Sequence, residues 1–179
     1  MPFDPTKPTA NSPLSSQEVR DQLNALKALI DALPAGASGR VAADWTSGSA
    51  SFSDVAGLSF VVAAGENWSA EIVLHVISGT TGQGLKLRAT GPGAGAVMIA
   101  MQGRGSGSST AMECEVQTAF SVASPAKTFC AGSTMTGVVR IHIVVVNATA
   151  GTVQLQAANS SGSGTVTIKA GSDLVARRT

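Results

Sequence analysis

"WSAEIVLHVIS", residues 68–78, decides the fold class, because its apolar residues recur every second position: Trp68, Ala70, Ile72, Leu74 and Val76 share one face. The same period runs through "GTVQLQAA" (151–158). There Val153, Leu155 and Ala157 oppose Thr152, Gln154 and Gln156. In "GTVTIKA" (164–170), Val166 and Ile168 oppose Thr165, Thr167 and Lys169. Each is a strand with one buried face. Further runs at 41–46, 58–63, 84–90, 96–102, 112–121, 137–147 and 173–178 are bounded by Gly, Ser, Pro or Asn clusters. Roughly eight to ten strands at turn-marked intervals follow, and an antiparallel β-sandwich or jelly roll is their natural product.

One strand is apolar on both sides. In "GVVRIHIVVVNA" (137–148), Val139, Ile141, Ile143 and Val145 alternate with Val138, Arg140, His142, Val144 and Val146. Such a strand is either central in a sandwich or covered on its second face by another subunit. The chain has five Phe, two Trp and no Tyr. Its core is therefore aliphatic, and burial between subunits would add useful apolar area.

The 179 residues suffice for one domain with an appendage. A hydrophobic share of 44% against 13% charged describes a folded chain. The formal charge of +1 provides no basic field for nucleic acid or anionic lipid. Cys114 and Cys130 are too few for a disulfide framework and lack zinc-site spacing, which leaves two half-buried thiols or a single bridge. The start "MPFDPTKPTANSP" lacks the pattern of a secretory signal. The longest apolar run, "IHIVVV" (141–146), falls far short of the roughly 20 residues of a membrane span. A soluble protein made in the cytoplasm is expected.

The first 40 residues differ in kind. Pro2, Pro5, Pro8 and Pro13 make residues 1–14 an extended arm that either stays in solvent or lies along a partner. Then "SSQEVRDQLNALKALIDALP" (15–34) reads as a helix, opened by a Ser15–Glu18 capping box and stopped by Pro34, Gly36 and Gly39. Val19, Leu23, Leu26, Ile30 and Leu33 recur at the spacing of a coiled-coil seam, which Leu29 broadens. The stripe packs either on its own β domain or on copies of itself. The connector "AGASGRVAA" permits separation, and a helix this short is marginal alone. Leu23 and Ile30, with no Asn in the seam, lean toward three strands. The expected organisation is arm 1–14, oligomerising helix 15–34, linker 35–40 and β domain 41–179.

No constellation for catalysis, cofactor or metal stands out, and an enzyme is not expected. His75 and His142 lie mid-strand in apolar runs, as satisfied or interface histidines do. The glycine-rich "TGPGAGA" (90–96) and "GRGSGSS" (103–109) precede no helix, so they read as loops rather than phosphate cradles. Glu113 and Glu115 share one strand face, read as solvated. Arg177 and Arg178 project to opposite faces, where one could pair with a carboxylate of another subunit. Trp45 and Trp68 offer sugar-stacking surfaces or core residues, with the core favoured for Trp68 by its face.

The stretch "PFDPTKPTANSPLSSQEVRDQLNALKALIDAL" (2–33) resembles the N-terminal module of many tailed-bacteriophage and prophage virion proteins, in which a similar arm and helix precede an unrelated outer domain. "VAGLSFVVAAGENWSAEIVLHV" (55–76), "GLKLRATGP" (84–92) and "GTVQLQAANSSGSGTVTIKAGSDLVARR" (151–178) are similar to a β-sandwich domain of phage structural and tail-fibre-like proteins. The resemblance implies a homotrimeric fibre or capsid-decoration protein on the virion surface, with other virion proteins as partners. It implies attachment through the arm, including Phe3, Asp4, Pro5 and Pro8, and trimerisation through the helix. Host contact, with cell-surface glycan as a candidate partner, falls to the loops between about 96 and 136. The alternative is a free carbohydrate-binding, lectin-like sandwich with its helix packed on itself.

Overall fold

The structure is a computed structural model that describes residues 15–31, 36–79, 83–105, 112–121, 128–130 and 136–179. The chain divides into two compact units, residues 1–35 and 36–179. In the first, helix α1 (Ser16–Asp31) begins at the expected capping box. The Ser15 backbone amide donates to Glu18 Oε2 at 2.9 Å, and the Glu18 amide donates back to Ser15 Oγ at 3.1 Å. Two of the amide donors around the helix start are satisfied reciprocally.

The second unit is all strand and loop among its described residues. In chain order the strands are β1 (Gly36–Arg40), β2 (Trp45–Ser47), β3 (Ser53–Val62), β4 (Trp68–Ser78), β5 (Leu85–Thr90), β6 (Ala94–Arg104), β7 (Met112–Gln117), β8 (Thr136–Ala148), β9 (Gly151–Asn159), β10 (Val166–Ile168) and β11 (Asp173–Arg178). They form two antiparallel sheets. The larger runs β1-β11-β4-β8-β6-β7, with β10 on β4 and β2 on β10; the smaller runs β3-β9-β5. The chain changes sheet between β2 and β3, β3 and β4, β4 and β5, β5 and β6, β8 and β9, and β9 and β10. Those crossings build the antiparallel β-sandwich.

Two neighbouring positions in the larger sheet each consist of a broken strand. β10 and β11 lie end to end along one edge of β4, opposite Val76–Ser78 and Trp68–Val73 respectively. β2 and β1 continue the same break one position outward. At the break the ladder is replaced by other bonds, so the backbone stays satisfied. The His75 amide donates to Ser172 Oγ at 3.0 Å, and the Val41 amide donates to the Ser172 carbonyl at 2.8 Å. Asp44 closes the loop by accepting from the Ala170 amide at 2.8 Å and pairing with Lys169.

The inward faces meet in one aliphatic core. Ile72, Leu74, Leu87, Ile99, Ile141, Ile143, Leu155 and Ile168 are fully buried within it. Each such side chain contributes about 1.5–3 kcal/mol on leaving water. Trp68 packs its ring 5.6 Å from that of Phe60, tying the first residue of β4 to the other sheet. Trp45 packs half-buried against the same cluster.

Residues 36–40, read from their small side chains as linker, are strand β1 and pair with β11 over the full five residues. The small residues serve a close approach instead of flexibility. A β-carbon on Gly39 would run into the Gly57 carbonyl oxygen, and one on Gly57 into that of Arg40. Gly57 sits at φ +85°, at the register shift of β3 between Asp54 and Ser59.

Candidate functional site

The expected oligomerisation residues lie on an apolar stripe of α1. Val19 is 40% exposed, Leu23 59%, Leu26 43% and Ile30 58%, with Leu29 beside them at 53%. Gln17, which donates from Nε2 to Asp21 Oδ1 at 2.8 Å, caps a polar flank. Leu33 and the arm residues Phe3, Asp4, Pro5 and Pro8 lie outside the described residues.

A second apolar surface, exposed among the described residues, is the outer face of the larger sheet. Register aligns its outward side chains in rows across four or five strands. One row is Val175, Glu71, His142, Ala100 and Val116; the next is Asp173, Val73, Arg140, Gln102 and Cys114. A third holds Arg177, Ser69, Val144 and Met98. Between them lies a groove of about 410 Å³ whose walls include Glu71, Gln102, Cys114, Arg140 and His142 over Ala100. Met98, Met112, Val116, Val138, Val146 and Val175 stand exposed around it. His142 is half-buried, its Nε2 3.0 Å from Ser69 Oγ, while His75 is exposed on the same side of the sheet. The alternation expected for residues 137–148 holds: Val139, Ile141, Ile143 and Val145 are buried, and the opposite set faces out.

The smaller sheet presents a different outer face. Arg88 Nε donates to Gln156 Oε1 at 2.7 Å, and Gln156 Nε2 donates to Asp54 Oδ1 at 2.6 Å. The Arg88 guanidinium also lies 4.5 Å over the Phe52 ring.

Several single residues settle into structural roles. Glu66 accepts from the Ala63 amide at 2.9 Å, from Trp68 Nε1 at 2.8 Å and from Arg178 at 3.0 Å. Those bonds, the amide first, pull its pKa down to about 2. Arg178, considered from sequence for an intersubunit pair, thus pairs with Glu66 of its own chain. Nothing in the sequence marks partners 112 residues apart. The hydrogen bond from Lys169 is the first cause of a lowered Asp44 pKa.

Glu113 and Glu115 differ from expectation. Both are half-buried on the side of β7 aligned with the buried Gly103 and Met101, and Glu115 accepts from Gln117 Nε2 at 2.8 Å. β7 is the edge strand, which leaves this inner side open enough for carboxylates. Cys114 and Cys130 are both free, the first exposed and the second buried, where desolvation raises its thiol pKa to about 11. Trp68 is 5% exposed and belongs to the core. Among the described residues no three His, Cys, Asp or Glu gather to hold a metal ion, and no helix is long and apolar enough to cross a membrane.

No protein-family model matches the chain, and no curated protein matches it. Among solved structures it is similar to the infectious bursal disease virus Gt strain at 12% identity, TM-score 0.23, over 82% of this chain and 38% of that one. For the VP2 subviral particle of the same virus the values are 12%, 0.25, 82% and 37%, and for its Gx strain 10%, 0.23, 82% and 36%. The chain thus spans less than two fifths of the solved chains it matches.

Proposed function

We propose that the chain is a non-enzymatic structural component of a phage or phage-like particle. In this reading it is a homotrimeric surface fibre or decoration protein, attached to other virion proteins by its N-terminal arm and displaying sandwich heads. The observation that carries the reading is the exposed seam of α1, Val19, Leu23, Leu26 and Ile30. A helix of 16 residues is marginal in water unless its apolar stripe is covered, and copies of the same stripe cover it symmetrically. The resemblance of residues 2–33 to virion attachment modules adds the particle. Contact of the heads with host-surface glycan rests on the resemblance alone, since Trp68 is in the core.

Two experiments test this. Replacing Leu23, Leu26 and Ile30 by Ser should lower the mass found by light scattering, and an unaltered mass would refute the seam. Deleting residues 1–34 should abolish incorporation into particles while leaving the head folded; unchanged incorporation rejects the attachment role.

A further inference from the structure

We propose that the outer face of the larger sheet is a second contact between copies of this chain, packing a head of one trimer against a head of another. The inference rests on the assembly reading above and names a surface that reading does not need. Two arguments choose a second copy as the occupant. The first is size. β4, β6 and β8 are 11, 11 and 13 residues long. Six strand positions at about 4.8 Å and about ten residues at 3.3 Å make a face of about 950 Å². That is about what one partner gives to a stable protein contact.

The second is charge. Glu71 and Asp173 lie on the β4–β11 side of the face, while Arg140 and His142 lie on β8 beside them. Arg40 and Arg177 stand toward the β1 edge and the end of β11. A face with acidic and basic groups on adjacent strands is complementary to another copy of itself. In a two-fold contact, pairing a head of one trimer with a head of another, the β4–β11 side of each copy meets the β8–β6–β7 side of the other, so that both bury the whole face. Val144, Met98, Ala100 and Val116 supply the apolar centre between those charges, and the small Ala100 at the groove floor leaves room for a neighbour's side chain.

Cys114 reports on this contact. It is exposed in the single chain and lines the groove, whereas Cys130 is buried and silent until unfolding. The test is the rate at which a thiol-reactive disulfide reagent labels Cys114 in the native full-length chain and in Met98→Glu/Val144→Glu. That pair is adjacent in register and leaves Cys114 and the core untouched. Val175→Glu, on the opposite side of the face, serves as a second variant if the first does not fold. The expected result is labelling at least tenfold slower in the native chain than in the variant. Equal, fast labelling in a chain that is still oligomeric overturns the inference and leaves the helix-seam reading standing. A native chain of monomeric mass overturns both.

Discussion

The outer faces of the two sheets answer the same architectural position in opposite ways. On the smaller sheet, Arg88, Gln156 and Asp54 form a cross-strand relay of hydrogen bonds, with Arg88 laid over Phe52. Polar groups there satisfy one another. The outer face of the larger sheet sets Val, Met and Ala side chains among Ser69, Glu71, Gln102, Arg140, His142, Asp173 and Arg177. The inner faces of both sheets are aliphatic and closed, except at the β7 edge, where Glu113 and Glu115 lie half-buried. Folding therefore accounts for one face of each sheet, and the other face records what that surface meets: solvent for β3-β9-β5, and in our reading a second copy for β11-β4-β8-β6-β7.

The strongest way to break this comparison is to truncate side chains on the two sides of one sheet. Leu74→Ala, on the closed side of β4, should cost about 2–5 kcal/mol by urea denaturation of the chain. Val138→Ala, on the neighbouring strand but facing out, should change the stability of a dissociated chain by no more than about 0.5 kcal/mol. Equal costs would mean that inner and outer faces are wrongly assigned. Next in size is Gly57→Ala, which asks whether the two sheets need their tight edge. With φ +85° and the Arg40 carbonyl in the way, it should destabilise by more than about 1 kcal/mol in the same assay.

Smaller effects sharpen the picture. Gln156→Ala removes the centre of the polar relay and should cost about 0.5–1.5 kcal/mol with no change of oligomeric mass, as a solvent-facing sheet requires. A loss of mass would move the contact to the smaller sheet. Glu66, in the turn from β3 to β4, gives a pH signature. Its folded pKa of about 2 lies below the ordinary 4.5, so its contribution is complete above 4.5 and is lost as pH falls toward 2. Glu66→Gln should lower the melting temperature at neutral pH, and the gap from the native chain should close between pH 4.5 and 2. A gap that persists at pH 2 would show that the charge is not what matters.

Where a pattern is local, the chain announced it. β4 begins at Trp68 and ends at Ser78, the bounds of the quoted stretch, because alternation and its flanking turn residues are adjacent in sequence. The Ser15–Glu18 box closes as read, since both partners lie within one helical turn. Residues 36–40 misled for the converse reason. Gly, Ala and Ser describe a flexible connector locally, and their role as strand β1 depends on β11 and on Gly57. The run expected at 41–46 keeps only Trp45–Ser47 as strand, because the break shared with residues 169–172 takes the rest. Of the candidate assembly site, the apolar second side of residues 137–148 was visible from one strand, whereas the groove over Ala100 needs β4, β6, β7 and β8 in register.

By itself, then, the sequence determined the period of each strand, the start of the helix and the presence of an apolar excess beyond one core, because these depend on the spacing of residues along a few turns of backbone. Only the tertiary structure decided which strands are neighbours, that Arg178 meets Glu66, and that the excess collects on one face of one sheet. Those outcomes depend on pairing between segments tens of residues apart, and no local pattern encodes which distant edge a strand will find.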